Sequence, residues 1–285
     1  MRDDPVDNLP PLRDVISRYD LGARKSLGQN FLLDMNLTDK IVRQAGDLSN
    51  ATVMEVGPGP GGLSRSILRA GARQLTAVER DHRCIEALAD LVDAADGRMT
   101  LVEADALKFA VTSLEPGPVT IIANLPYNIA TPLLFKWLED LGHISQLILM
   151  FQREVADRIC AEPGGKTYGR LSVMSQWYCQ VEKLFDLSPR AFVPPPKVTS
   201  SVVRFTPLVE VAFDADAKAL ETVTAAAFTQ RRKMIRASMK SIFRDPLAIL
   251  EKANIDPQRR AETLTVADFC AVARLYQAEK KTKNN

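Results

Sequence analysis

At one point the chain passes straight from an apolar run into glycine. Val53 to Val56 leads into Gly57-Pro58-Gly59-Pro60-Gly61-Gly62; Leu63, Ile67 and Leu68 then recur at helical spacing, and Gly71 stands where the helix should stop. A strand, a glycine loop and a helix in that order, in a chain whose seven expected strands have helices between the early ones, fit an α/β fold with a doubly wound sheet. Glycine lets backbone approach a ligand closely, and the start of the helix offers unpaired N–H groups and a positive dipole end. The next apolar run, Gln74 to Val78, ends in Glu79, where an acid in such a unit meets ribose hydroxyls. The pattern predicts a site for a nucleoside-containing cofactor.

The glycines do not choose the cofactor. Residues 57, 59 and 62 satisfy Gly-x-Gly-x-x-Gly, so a dinucleotide stays open at this point. Pro58 and Pro60 count against it, because neither has an N–H for a pyrophosphate. S-adenosylmethionine carries no phosphate and loses nothing there. Asp105, just past the strand Met99 to Glu103, is placed to accept a hydrogen bond from an adenine amine; its plainer reading is a loop carboxylate or helix cap.

A second word follows the run Val119 to Ala123: Asn124-Leu125-Pro126-Tyr127. Open α/β sheets hold ligands at the carboxyl ends of their strands. The exocyclic amine of a nucleobase is a poor nucleophile, since its lone pair is delocalised into the ring. The Asn124 side-chain oxygen, with a backbone carbonyl held in a turn by Pro126, can accept hydrogen bonds from that amine and free the lone pair toward a methyl donor. Tyr127 offers a flat face on which a base stacks, worth roughly 1–3 kcal/mol. Alone, the four residues also fit an ordinary turn.

Taken together these words resemble one family. Lys25-Ser26-Leu27-Gly28-Gln29-Asn30-Phe31-Leu32, Glu55 to Gly61, Asn124 to Ile129, Phe192-Val193-Pro194-Pro195-Pro196-Lys197-Val198 and Gln230-Arg231-Arg232-Lys233 occur in the order found in the ribosomal RNA adenine dimethyltransferases, and within them the bacterial small-subunit (16S) group. The resemblance implies a Rossmann-like seven-stranded class I methyltransferase sheet, its last strand antiparallel, with a small C-terminal all-helical domain. It implies S-adenosylmethionine held by Asn30, Leu32, Gly57, Glu79, Asp105 and Asn124, with Glu103 and Ala104 as further candidates near the adenine. It implies catalysis by Asn124, Leu125, Pro126 and Tyr127, the target adenine sandwiched between Tyr127 and Phe192. The implied substrate is a pair of adjacent adenosines in the 3′-terminal hairpin loop of 16S rRNA in an assembling small subunit, each dimethylated at N6. A large-subunit rRNA methyltransferase, a nicotinamide-dependent oxidoreductase and a binding-only assembly factor are the competing readings.

Charge adds a partner surface. The chain has 37 Lys+Arg against 35 Asp+Glu, but 13 basic and 6 acidic residues fall from Arg231 onward. This asymmetry points to a nucleic-acid face in the tail. Arg231, Arg232, Lys233, Arg236 and Lys240 are expected along one side of a helix whose apolar partners are Ile235, Met239 and Ile242; an ordinary solvated face is the plainer reading. Lys166, in a glycine loop from Glu162 to Gly169 expected to be mobile, is a phosphate candidate, as are Lys25 and Lys197.

The four cysteines have no Cys-x-x-Cys spacing, and His82 and His143 lie in no motif, so neither a metal site nor histidine catalysis is expected. No apolar run reaches the ~20 residues of a membrane span, and the acidic, polar start does not resemble a signal, so a cytoplasmic place is expected; a monomer is expected as well. Strands are predicted at 52–56, 74–78, 99–103, 119–123, 146–150, 181–187 and 201–206, and a helix at 35–45 capped by Asp34. The predicted organisation is a polar, mobile arm over 1–21, a methyltransferase domain over 22–207 and a helical RNA-binding domain over 208–285.

Overall fold

All seven predicted runs form strands in the computed structural model, which describes residues 4–24 and 28–283. Lys25 lies outside the described residues. In chain order the strands are β1 (Phe31–Leu32), β2 (Thr52–Val56), β3 (Gln74–Glu79), β4 (Met99–Glu103), β5 (Val119–Ala123), β6 (Ile144–Gln152), β7 (Cys179–Leu187), β8 (Phe192–Val193) and β9 (Ser200–Pro207). Seven of them make one sheet in the order β4-β3-β2-β5-β6-β9-β7, and β1 and β8 form a separate two-stranded ribbon. The strands β2 to β6 pair in parallel. The last strand, β9, runs antiparallel to β6, with Leu149 opposite Val203.

Five consecutive residues of β2 and of β5 are buried, which is the mark of a strand covered on both faces. The order reverses between β2 and β5, so the loops after these strands diverge and leave a crevice at their carboxyl ends. The helix Tyr127–Glu139 starts there; Ala130, Leu133, Leu134, Trp137 and Leu138 form its buried stripe at helical spacing. The helix Met35–Val42, continued by a 3₁₀ turn to Ala45, is capped by Asp34, whose carboxylate accepts the Asn36 N–H at 2.9 Å.

Two compact units emerge: residues 1–156 with 182–207, and residues 157–181 with 208–285. The second unit thus includes 157–181 as well as the tail, a segment that an unbroken 22–207 domain would have kept. Aromatic packing explains the grouping: Tyr168 is fully buried and meets Phe228 edge-on at 6.1 Å, and Phe228 meets Phe269 at 5.5 Å. Within this unit the long helix Val266–Lys283 begins at Thr265 and Asp268, each accepting the other's backbone N–H.

The N-terminal segment is not a mobile arm over its described residues. Val6, Leu12, Val15 and Leu21 are buried, and polar ties hold what lies between them. Arg65 donates to the Pro10 carbonyl at 2.7 Å, Arg69 pairs with Asp7 at 2.9 Å, and Arg98 pairs with Asp4 at 3.2 Å. Four apolar residues spread among charges are a weak signal in sequence, yet they suffice to seat a short helix, Leu12–Arg18.

Candidate active site

The glycine loop is shaped by contacts that leave no room for side chains. Gly57, Gly59 and Gly61 take φ of 68°, 54° and 90°, a region that L side chains rarely adopt. A Cβ on Gly59 would stand 2.9 Å from the Phe31 ring, and one on Gly62 would stand 2.7 Å from the Leu32 carbonyl oxygen. The ribbon strand β1 therefore lies directly on the loop and closes one side of a cleft.

That cleft, about 1110 Å³ with its open mouth, is lined by Asn30, Leu32, Gly57, Glu79, Ala104, Asp105, Asn124, Leu125, Pro126 and Tyr127. The structure thus gathers in one place residues from the ends of β1, β2, β3, β4 and β5. Glu79 is 7% exposed and accepts three backbone N–H groups: Arg80 at 2.7 Å, Asp81 at 2.8 Å and Gly59 at 3.3 Å. Burial raises its pKa against the lowering effect of these donors. A carboxylate has about four acceptor sites, so Glu79 keeps acceptor capacity toward the cleft. Asp105 accepts the Leu107 N–H at 3.0 Å and pairs with Arg80 at 3.7 Å.

The N–H groups of Gly57, Gly59 and Gly61 in the loop are already engaged. Gly57 N–H goes to the Val78 carbonyl at 2.9 Å, Gly59 N–H to Glu79, and Gly61 N–H to the Pro58 carbonyl at 3.0 Å. With two prolines between them, the loop offers a pyrophosphate little, and the acids Glu79 and Asp105 would repel it. The residues fit a phosphate-free nucleoside such as S-adenosylmethionine better than a dinucleotide.

Asn124 donates its side-chain N–H to the Asn30 carbonyl at 3.0 Å. Only the NH₂ end can face a carbonyl, so the side-chain oxygen is left as a pure acceptor. Tyr127, partly buried, is fixed by a 2.6 Å hydrogen bond between its hydroxyl and Ser200.

Several candidates stand elsewhere. Phe192 is 2% exposed, opposite Leu32 in the ribbon, and packs in the main core instead of on the cleft wall; the aromatic sandwich is not formed in this structure. The Glu103 carboxylate is turned to His82 at 3.1 Å. Lys166 and Lys197 are exposed. The single basic helix is absent: the helix Ala217–Thr229 ends, a turn follows, and a short helix starts only at Ile235. An antiparallel bridge from Met234 to Arg260 and the Ile235 N–H bond to the Arg259 carbonyl at 2.7 Å hold the chain out of helix there. Ile235 and Met239 are buried, as their spacing suggested. Arg232, Lys233, Arg236 and Lys240 are exposed, but Arg231 turns inward, pairing with Glu262 at 2.9 Å and donating to the carbonyls of Gly165 and Lys166. The same bonds, with Gly164 N–H on the Glu262 carbonyl at 2.7 Å, tie down the loop expected to be mobile.

Two charged cleft residues went unassigned from sequence, Glu55 and Arg80. Glu55 is 1% exposed and accepts a hydrogen bond from the Ser64 hydroxyl at 2.5 Å. A glutamate inside an otherwise apolar strand was the signal that marked it.

Among the described residues no group of His, Cys, Asp and Glu is arranged to hold a metal, and no helix is long and apolar enough to cross a membrane.

A family model described as ribosomal RNA adenine dimethylase matches residues 21–278. A protein of Rhodospirillum rubrum called ribosomal RNA small subunit methyltransferase A is 53% identical over 274 residues, 96% of this chain and 95% of that one. One of the same name from Rhodopseudomonas palustris is 55% identical over 273 residues, covering 94% and 95%. Among solved structures, a dimethyladenosine transferase from Plasmodium falciparum superposes with a TM-score of 0.76 at 24% identity, over 87% of this chain and 97% of the other. The 23S rRNA methyltransferase ErmE gives 0.66 at 24% identity, over 87% and 100%. These two likenesses show the fold.

Proposed function

This chain belongs to the ribosomal RNA adenine dimethylase family, and we propose that it dimethylates N6 of two adjacent adenosines in the 3′-terminal hairpin loop of 16S rRNA, taking methyl groups from S-adenosylmethionine. The observation that carries this reading is the Asn124–Asn30 hydrogen bond. It leaves an acceptor-only oxygen in a cleft whose acids and engaged loop suit a nucleoside without phosphates. When bound, the cofactor supplies an electrophilic methyl group on a good leaving sulfur.

The protein's own work is alignment and hydrogen bonding. Glu79 accepts from the ribose hydroxyls of the cofactor, and Asp105 from its adenine amine. Asn30, Leu32 and Gly57 form the walls that hold it. The Asn124 oxygen, with a backbone carbonyl of the Leu125-Pro126 turn, accepts from the target amine and turns its lone pair toward the donor. Tyr127 stacks on the target base, which must leave its own stack to be reached. A dimethylated product requires that the wall at Leu125 admit an amine already carrying one methyl group. Each adenosine takes two methyl groups from two successive cofactor molecules.

On this reading Arg232, Lys233, Lys166, Lys197 and Lys25 meet the phosphate backbone, the enzyme acts as a monomer on assembling small subunits, and its place is the cytoplasm. The test is to incubate the protein with labelled S-adenosylmethionine and, separately, unmethylated small subunits, naked 16S rRNA, large subunits and DNA, then identify the labelled nucleoside by mass spectrometry. Dimethyladenosine confined to the 3′ end of 16S rRNA is expected. Label in the large subunit, or none anywhere, would overturn it.

A further inference from the structure

The cleft contains more acid than its geometry has cation to answer. Its charged lining residues are Glu55, Glu79, Asp105 and Arg80, and Arg80 is already paired with Asp105 at 3.7 Å. Glu55 and Glu79, at the ends of adjacent strands, have no ion-pair partner among the described residues. Glu79 has three backbone N–H donors; Glu55 has one hydroxyl, Ser64. An ionised carboxylate 1% exposed with a single neutral hydrogen bond is costly, and such a group keeps its proton until a cation arrives.

The proposed cofactor brings one. Donor and demethylated product differ by a single positive charge, on sulfur. We propose that Glu55 is the counter-charge to that sulfonium: it gives up its proton when the cationic donor enters the cleft and regains one after the methyl group has gone, so that this carboxyl group sorts donor from product. The inference rests on the cofactor assigned above.

The charges balance. Binding the donor releases one proton from Glu55 to solvent. Methyl transfer forms a C–N bond, breaks the C–S bond with its electron pair going to sulfur, and releases one proton from the amine. With the sulfur now neutral, the Glu55 carboxylate takes up a proton, and the cleft returns to the state that the product leaves readily. The neighbours of Glu55 agree with this: the Glu79 carboxylate on β3 raises its proton affinity and the Ser64 hydroxyl on the helix Gly62–Arg69 lowers it, while Asn30 and Asn124, which line the same cleft, are uncharged. Burial is the largest influence and pushes Glu55 up to about 8. The group is therefore protonated at neutral pH, in the range where exchange with a cation has a measurable effect.

The full-length protein should be titrated calorimetrically with S-adenosylmethionine, S-adenosylhomocysteine and the cationic amine analogue sinefungin between pH 6 and 7, in buffers of different ionisation enthalpy. The expected result is release of close to one proton with the two cationic ligands and close to none with the homocysteine compound. Affinity for the cations should rise up to tenfold from pH 6 to 7 while that for the product stays flat. Glu55→Gln should abolish the proton release and shrink the preference for cations while still binding the product. Equal proton release by all three ligands, or release that survives in Glu55→Gln, would overturn the proposal. The wild-type proton count decides even if the variant fails to fold. Failure to bind any of the three would instead defeat the cofactor assignment, and this inference with it.

Discussion

The Asn124 side chain reaches across the cleft to the backbone carbonyl of Asn30, at 3.0 Å, so a residue just past the end of β5 is oriented by the residue that leads into the strand closing the glycine loop. Two of the sequence words thus meet in one hydrogen bond. Asn124→Ala removes both the acceptor and the bond that aims it. Methyl transfer in single-turnover assays should fall by about 10²–10³, the cost of losing one preorganised partner of a reacting group, while rRNA affinity stays nearly unchanged. Asn124→Asp should be no better, since its carboxylate would face the Asn30 carbonyl. Normal turnover in Asn124→Ala would defeat the role.

Tyr127 separates stacking from anchoring. Its ring lines the cleft and its hydroxyl is held by Ser200 at 2.6 Å. Tyr127→Ala should cost roughly 1–3 kcal/mol of base stacking, read as a rise in KM for subunits and a fall in kcat. Tyr127→Phe keeps the ring and loses only the anchor, so its loss should be well under tenfold. Equal losses in the two variants would show that the hydroxyl, not the ring face, matters.

What could be read from the sequence was set by period and by punctuation. The strands β2 to β5 are short apolar runs ending at or beside glycine, proline or an acid, and their places follow almost residue by residue, while β6 extends two residues beyond its run at each end. Gly57, Glu79, Asp105 and Asn124 were legible for the same reason, since each sits at or just past the end of such a run, whereas Asn30 and Leu32 came only from the family resemblance. Phe192 was not, because nothing in Phe-Val-Pro-Pro-Pro shows that its ring lies opposite Leu32 and inside the core. The basic stretch misled through continuity. Its helical spacing runs on across Gln230 to Met234 with no glycine or proline to mark the turn, and the break comes from partners far along the chain, Arg260 and Glu262. Burial of Glu55 beside a single hydroxyl is likewise a tertiary fact.

The basic turn should therefore divide into two behaviours. Replacing Arg232 and Lys233 with Ala removes exposed cations and should weaken subunit binding, with the slope of log K against log salt reduced by about 0.7–0.9 per charge. Arg231→Ala removes the tie to Glu262 and to the loop at Gly165 and Lys166. It should lower stability by about 1–2 kcal/mol and expose that loop to proteolysis. A salt slope unchanged in the double variant would move the RNA face elsewhere.

Gly62 tests the seating of the ribbon on the loop. An added Cβ meets the Leu32 carbonyl oxygen at 2.7 Å, and backbone cannot swing aside as a side chain can. Gly62→Ala should cost about 1–3 kcal/mol, the usual range for overpacking, and should weaken cofactor binding more than the melting temperature alone suggests, because β1 carries Leu32 into the cleft. A variant with wild-type affinity would show that the ribbon can shift without consequence.

The same carboxyl group that is proposed to answer the donor's charge should leave a mark on the stability of the ligand-free protein. Glu55 has its pKa raised from 4.5 to about 8 in the folded chain, chiefly by burial. A group that binds its proton more tightly when folded contributes stability that is fully present below the unfolded pKa and is lost as pH rises through the folded one. The unfolding free energy should thus decline between about pH 4.5 and 8, with roughly 5 kcal/mol as the ceiling at about 1.4 kcal/mol per unit. Glu55→Gln, which mimics the protonated acid, should flatten that decline, so that wild type and variant diverge more at pH 8 than at pH 5 in urea denaturation. Parallel curves for the two proteins across this window would show that Glu55 is already ionised at neutral pH.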